Sequence, residues 1–339
     1  MSRPPARAVI FGCAGLRLSP EERKLFAKAQ PWGAILFARN IADPQQLWAL
    51  TSELRDAVGR DLPILIDQEG GRVQRMRSPH WRDWPPALEQ CQRAHDPARA
   101  MYLRGRLIAS ELRACGIDVN CAPLADIATD HTHPVLQNRC YGTEPAQVVA
   151  NALAMARGLI AGGVLPVLKH IPGHGRAQAD SHLDLPVISA SHAELAQSDF
   201  AAFRGLANLP LGMTAHLLFK DIDPTQPATL SPTMIRLIRE EIGFQGLLMT
   251  DDISMQALDG PVVQRADTAL SAGCDLVLHC NGDLHEMTAL ADICPLLDDA
   301  SLARSNAALS QRRPAETCDL DALDTEYATL TAWRNTARI

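Results

Sequence analysis

Nowhere do the 339 residues contain a run approaching the eighteen apolar residues of a membrane span. The opening MSRPPARAVIFGCAG lacks a secretory apolar core, because AVIFGCAG is short and runs straight into polar sequence. Basic residues are not in excess either. Lys and Arg number 32 against 39 Asp and Glu, and the net charge of −7 argues against coating nucleic acid or an anionic membrane. No C-x-x-C pair occurs among nine cysteines scattered from Cys13 to Cys318 in apolar contexts such as AGCDLVLHC and LRACGIDVNC. An odd count in such surroundings speaks against a disulfide framework or a zinc ribbon, and for buried reduced thiols in a cytoplasmic protein. The segment FGCAGLRLSP misses the G-x-G-x-x-G turn of a dinucleotide site, and no nucleotide loop of the G-x-x-x-x-G-K-[ST] kind is present. Low-complexity linkers are missing as well.

What the chain does have is rhythm. Short apolar runs occur at 8–13, 33–38, 63–68, 117–124, 164–170, 211–217, 246–252 and 275–281. Amphipathic stretches such as DPQQLWALTSELRDAVG and PAQVVANALAMARGLIAGG lie between them. Several open on Ser, Asp or Pro and close on Gly, the residues that cap helix ends. Near-continuous apolar strands separated by helices imply a parallel sheet covered on its faces. Eight such beats predict an α/β fold, a closed (β/α)8 barrel of parallel strands with room for irregularity at the first ones; an open doubly wound sheet is the alternative. Residues 1–300 are expected to form one catalytic domain, with 301–339 a helical tail packing on the barrel.

A barrel carries its chemistry where its strands end. Run three ends in IDQEGGRVQR, bringing Asp67, Gln68, Glu69, Arg72 and Arg75; run four leads to Asp126. Run five ends on Lys169 and His170, run six on His216, run seven on Asp251 and Asp252, and run eight on His279 and Asn281. Any one of these can cap the next helix; together they predict a polar pocket at the barrel mouth.

The stretch LKHIPGHGRAQADSH, 168–182, concentrates His170, His174 and His182. His170 and His174 have the i, i+4 spacing of helical metal ligands, but Pro172, Gly173 and Gly175 forbid the helix, so a metal is disfavoured. Lys169, Arg176 and exposed glycine N–H groups suit at most transient anion binding. Asp180 and His182 alternate by two, so in an extended loop they project to one side. An aspartate beside an imidazole fixes its tautomer and supports its charged form, which makes a general acid/base. From these residues alone a surface Asp–His pair is the competing reading.

KHIPGHG, four further residues and then DSH resemble the signature of the bacterial β-N-acetylglucosaminidases of glycoside hydrolase family 3. GAILFARNI, LIDQEGGRVQR, GIDVNCAPLADI, NRCYG and MTDDISMQAL follow the order and approximate spacing of that family, over about residues 8–285. Ile171 stands where Phe is common, and Cys140 at a usually Ser-like place. The resemblance implies an exo-acting retaining enzyme that removes terminal N-acetylglucosamine from peptidoglycan fragments, N-acetylglucosaminyl-1,6-anhydro-N-acetylmuramic acid with or without peptide, during cell-wall recycling. It implies Asp251 as nucleophile, His182 as acid/base and Asp180 as its partner. A histidine here departs from the usual carboxyl pair; a neutral imidazole brings no second negative charge toward an anionic aglycone. The resemblance further implies sugar binding by Asp67, Arg75, Arg139, Lys169, His170 and His216, with Met255 nearby. No cofactor or metal, no nucleic acid and no membrane is implied, and monomer and homodimer stay equally open. The loop glycines suggest that the dyad reaches the site only once substrate is bound. A β-N-acetylglucosaminide phosphorylase on the same fold and a non-catalytic sugar-binding barrel remain the alternatives.

Overall fold

The computed structural model describes residues 6–177 and 185–332. Each of the eight apolar runs contributes one strand of a closed barrel. The strands are β1 (Arg7–Phe11), β2 (Pro31–Leu36), β3 (Ile64–Ile66), β4 (Val119–Asn120), β5 (Leu165–Ile171), β6 (Leu211–Thr214), β7 (Leu247–Asp252) and β8 (Leu276–His279). They pair in sequential order, all parallel, and β8 returns to β1 in the register Phe11 opposite His279.

The return helices are α1 (Pro20–Ala29), α2 (Pro44–Val58), α3 (Pro97–Ala114), α4 (Pro145–Ala161), α5 (Asp199–Arg204), α6 (Pro232–Glu240), α7 (Val262–Ala272) and α8 (Leu284–Ile293). Their starts are written locally. Ser19, Asp43, Asp96 and Ser231 each accept a backbone N–H of the first turn, and each is followed by the proline that opens its helix. Replacing one such cap by Ala costs about 1 kcal/mol.

Alternation along the strands sorts side chains into two shells. Ile10, Ile35, Leu65, Val119, Val167, Leu211, Met249 and Leu278 fill the barrel interior, while Val9, Ile64, Leu168 and Leu248 face the helices. Each fully buried side chain of this size contributes about 1.5–3 kcal/mol.

After β8 the chain passes under the barrel. Helix α9 (Asp299–Leu309) sets Ala308 and Leu309 against the interior shell, and Trp32 Nε1 donates to Ser305 Oγ at 2.7 Å. Buried Asp275 accepts from Arg239, Arg304, Ser301 and the Leu248 N–H, all within 2.7–2.8 Å. Helix α10 (Leu320–Thr331) lies on α3 through the bidentate Arg99–Glu326 pair. The barrel floor is thereby closed, and the chemistry is left to the opposite end. Among the described residues no helix is long and apolar enough to cross a membrane.

Candidate active site

At the C-terminal ends of the strands a cavity of about 350 Å³ is lined by Asp67, Arg75, Arg139, Lys169, His170, His174, Asp251, Asp252 and Met255, among others. One connected set of charges orders its floor. Asp67 and Glu69 alternate by two beyond β3, so both carboxylates face the same side. Asp67 binds Arg75 at 2.9 Å with one oxygen and Lys169 Nζ at 2.9 Å with the other. Glu69 takes Lys169 at 2.6 Å and Arg139 through two bonds of 2.9 and 2.8 Å.

A short hairpin, Gln68–Gly70 with Val73–Gln74, brings Arg75 back to its partner. Buried Gln68 holds the return by accepting the N–H groups of both Arg75 and Met76 at 3.0 Å. The turn requires glycine: Gly70 has φ +111°, and a Cβ there would strike the Arg104 guanidinium.

Burial alone would push both carboxyls up and the lysine down. The pairing outweighs it. Lys169 and Arg75 hold Asp67 far below the ordinary carboxylate range, and Arg139 and Lys169 hold Glu69 below its own. The same two carboxylates raise Lys169 and keep it charged.

His170 is fixed from behind. Its Nδ1 meets Asp126 Oδ2 at 2.8 Å, while Asp126 Oδ1 accepts the His174 N–H at 2.7 Å. The bend after β5 is packed: Gly173 N–H donates to His170 O, Ala177 N–H to His174 O, and a Cβ on Gly175 would collide with Ile127 O. Glycine at 175 therefore serves close approach. His174 is buried with its ring edge-on to His170 at 5.5 Å. Burial first, and His170 second, depress its pKa to about 4, so it is neutral near pH 7.

Asp251, half-buried at the end of β7, accepts the Asp252 N–H at 2.8 Å. Burial opposes its charge, but His170, His216, that N–H and Lys169 together lower its pKa. It stands in the cavity as an ionised carboxylate. Asp252 accepts from Ser254 and from the Cys280 N–H, so it caps the turn and ties β7 to β8.

Asp67, Arg75, Arg139, Lys169, His170 and Asp251, singled out from sequence, thus share one cavity. His216, expected beside them, is placed differently. It is wholly buried outside the cavity lining, Nδ1 meeting Thr229 Oγ1 at 2.8 Å and Nε2 the Asp252 carbonyl at 3.0 Å. Nε2 thereby holds the end of β7, and Nδ1 ties the ring to the segment before α6. Asp180 and His182 lie outside the described residues. Sequence reasoning left Glu69 and Asp126 without a role, although both were visible as ionisable strand ends; their buried pairings are tertiary. Phe37 and Arg39, also cavity-lining, lay within GAILFARNI without a role, and cavity-lining His133 gave no signal. Among the described residues no group of three or more His, Cys, Asp or Glu is arranged to hold a metal.

A closed parallel barrel with an ionised carboxylate at the end of β7 and a ring of paired cations and carboxylates suits a glycoside-processing site. The glycosyl hydrolase family 3 N terminal domain matches residues 8–313, and the chain belongs to that family. It is 41% identical over 281 residues to a beta-hexosaminidase of Alkalilimnicola ehrlichii, covering 80% of each chain. To a beta-hexosaminidase of Methylococcus capsulatus it is 37% identical over 333 residues, 96% of each chain. In structure it is similar to NagZ from Neisseria gonorrhoeae in complex with N-trifluoroacetyl-D-glucosamine, with 31% identity, a TM-score of 0.83 and 98% of each chain covered. The protein is a glycoside hydrolase of the β-N-acetylhexosaminidase type.

Proposed function

We propose that this enzyme is an exo-acting retaining β-N-acetylglucosaminidase that removes terminal N-acetylglucosamine from peptidoglycan fragments in the cytoplasm, as part of cell-wall recycling. The observation that carries the reading is Asp251, an ionised carboxylate in a cavity at the small end of the ligand-pocket range and surrounded by pre-paired donors and acceptors. In the proposed first step an Asp251 oxygen bonds to the anomeric carbon while the glycosidic bond breaks. The departing oxygen takes a proton from His182, which Asp180 holds. In the second step His182 removes a proton from water, the water oxygen bonds to the anomeric carbon, and Asp251 leaves as carboxylate. Two inversions retain the β configuration. Water is the proposed acceptor in this second step.

Asp67 would accept from sugar hydroxyls, and Lys169, Arg139, Arg75 and His170 would donate. Because these groups are already held by Glu69, Asp126 and each other, little reorganisation accompanies binding. The test is trapping with a 2-deoxy-2-fluoro sugar donor, in which fluorine replaces the C2 substituent, followed by peptide mapping. The expected outcome is a single label on Asp251, absent from Asp251→Ala. A label elsewhere, or Asp251→Ala turning over an aryl N-acetyl-β-glucosaminide at the unaltered rate, sinks the assignment. Sugar 1-phosphate formed in phosphate buffer would replace water by phosphate as acceptor.

A further inference from the structure

Arg104, on α3, is a buried cation that stands outside the charge network of the cavity floor. It is wholly buried, and among the described residues no carboxylate pairs with it. Its Nε and one Nη donate to the Glu69 carbonyl, and that Nη also donates to Pro85 O at 2.9 Å. The other Nη donates to Gln90 Oε1 at 2.6 Å. All three acceptors are neutral, and a buried charge without a counter-charge lowers stability. What its planar fork fixes is the backbone of the residue whose carboxylate holds Lys169 and Arg139. Glu69 is thus gripped twice, by its side chain in the cavity and by its carbonyl from the α3 side.

The second grip extends to the C-terminal helix. Gln90, on the short helix Ala87–Arg93, accepts the Tyr327 hydroxyl at 2.8 Å on the same oxygen that accepts Arg104. Gln90 and Tyr327 are both buried, and Tyr327 belongs to α10. The Tyr327 ring meets Trp84 edge-on at 5.3 Å. The Trp84 carbonyl accepts the Gly71 N–H at 2.8 Å, and its N–H donates to Gln74 Oε1 at 3.0 Å. The aromatic pair therefore also backs the hairpin that returns Arg75 to Asp67.

We propose that Arg104 and Tyr327 are positioning residues for the glycosidase reaction, and that α10 sets the cavity floor through the series Tyr327–Gln90–Arg104–Glu69. This rests on the reading of Lys169 and Arg139 as donors to the sugar. Those donors meet the sugar in the ground state and the transition state alike, so a displaced floor raises KM and leaves kcat in place.

The test measures KM and kcat for an aryl N-acetyl-β-glucosaminide on the full-length enzyme, on Tyr327→Phe, on Arg104→Lys and on the double variant. Phenylalanine keeps the ring against Trp84 and loses only the hydroxyl; lysine keeps the charge and loses the fork. Two controls accompany them. Glu326→Gln loosens α10 from Arg99 without touching the series, and Lys169→Met removes a floor donor. Tyr327→Phe should raise KM by up to about fivefold, the equivalent of one ordinary hydrogen bond, and Arg104→Lys by about tenfold. The double variant should scarcely exceed Arg104→Lys, because both changes act through Gln90. Glu326→Gln should leave KM unaltered. If Arg104→Lys does not fold, Tyr327→Phe decides alone. An unaltered KM in Tyr327→Phe, full additivity in the double variant, or an equal rise in Glu326→Gln overturns the proposal, and a raised KM in Lys169→Met then leaves the sugar-binding floor standing. An unaltered KM in Lys169→Met overturns the reading of the floor itself.

Discussion

Replacing Glu69 by Gln keeps the shape of the side chain and removes one charge from the floor of the cavity. Two carboxylates, Asp67 and Glu69, there face three cations, Arg75, Arg139 and Lys169. Glu69 and Lys169 have side chains only 3% and 2% exposed, so solvent cannot replace the lost partner. Breaking a buried pair from one side typically costs about 3–5 kcal/mol, because the remaining charge stays buried. With an unfolding entropy of about 2.1 cal/mol/K per residue, a 339-residue chain should lose roughly 4–7 °C in Tm. Urea unfolding near pH 7 gives the free energy, and the KM for an aryl N-acetyl-β-glucosaminide should rise as Lys169 and Arg139 lose their anchor. Glu69 has its pKa lowered by folding, so its contribution is complete above the ordinary value of 4.5 and fades as pH falls through the folded value. The difference between the two proteins should therefore be full at pH 7 and shrink in acid. Glu69→Gln/Arg139→Gln, which restores the balance of charge, should be more stable than the sum of the single changes implies. A loss below about 1 kcal/mol at pH 7 with KM unchanged would refute the claim that Glu69 organises the floor.

Two other expectations are simpler to read. Cys318 is the exposed cysteine of the nine, and burial raises the thiols of Cys13, Cys91, Cys121, Cys274 and Cys294 to about 12 or beyond; the native protein should react rapidly with one equivalent of a disulfide reagent and the urea-unfolded protein with nine. Rapid loss of three or more native thiols would contradict the burial. His174 has a folded pKa near 4 against 6.5 ordinarily, so the unfolded chain takes up its proton first and stability should fall as pH drops from 6.5 toward 4. His174→Gln should flatten that fall between pH 6.5 and 4.5, as read from urea midpoints; parallel curves would show that another group is responsible.

The barrel was legible because each of its strands is a short apolar run bounded by helix-capping residues, and that pattern is local. The cavity was legible to the extent that strand ends carry charge: Asp67, Lys169, His170 and Asp251 all emerge at one end of a parallel sheet. What remained hidden depends on contacts between distant segments. Glu69 gains its role only when Arg139, seventy residues later, reaches it. His216 ends its strand with the same polar signature as His170, yet Thr229 and the Asp252 carbonyl take both of its nitrogens. The close approach at Gly173 and Gly175 was hidden too, because sequence cannot distinguish a glycine that permits motion from one that permits contact. Ile127 lies against Gly175, so the bend itself is built for contact.

The packed barrel interior, with α9 beneath Trp32, has a kinetic meaning. A barrel stoppered at one end is a cul-de-sac, so whatever enters the mouth must leave by it. Under the proposed mechanism the leaving sugar stands nearest the exit and must depart before water can reach the bound sugar. The products would then be released in fixed order, the shortened fragment first and N-acetylglucosamine last. The same dead end would admit only the tip of a glycan and turn away its interior.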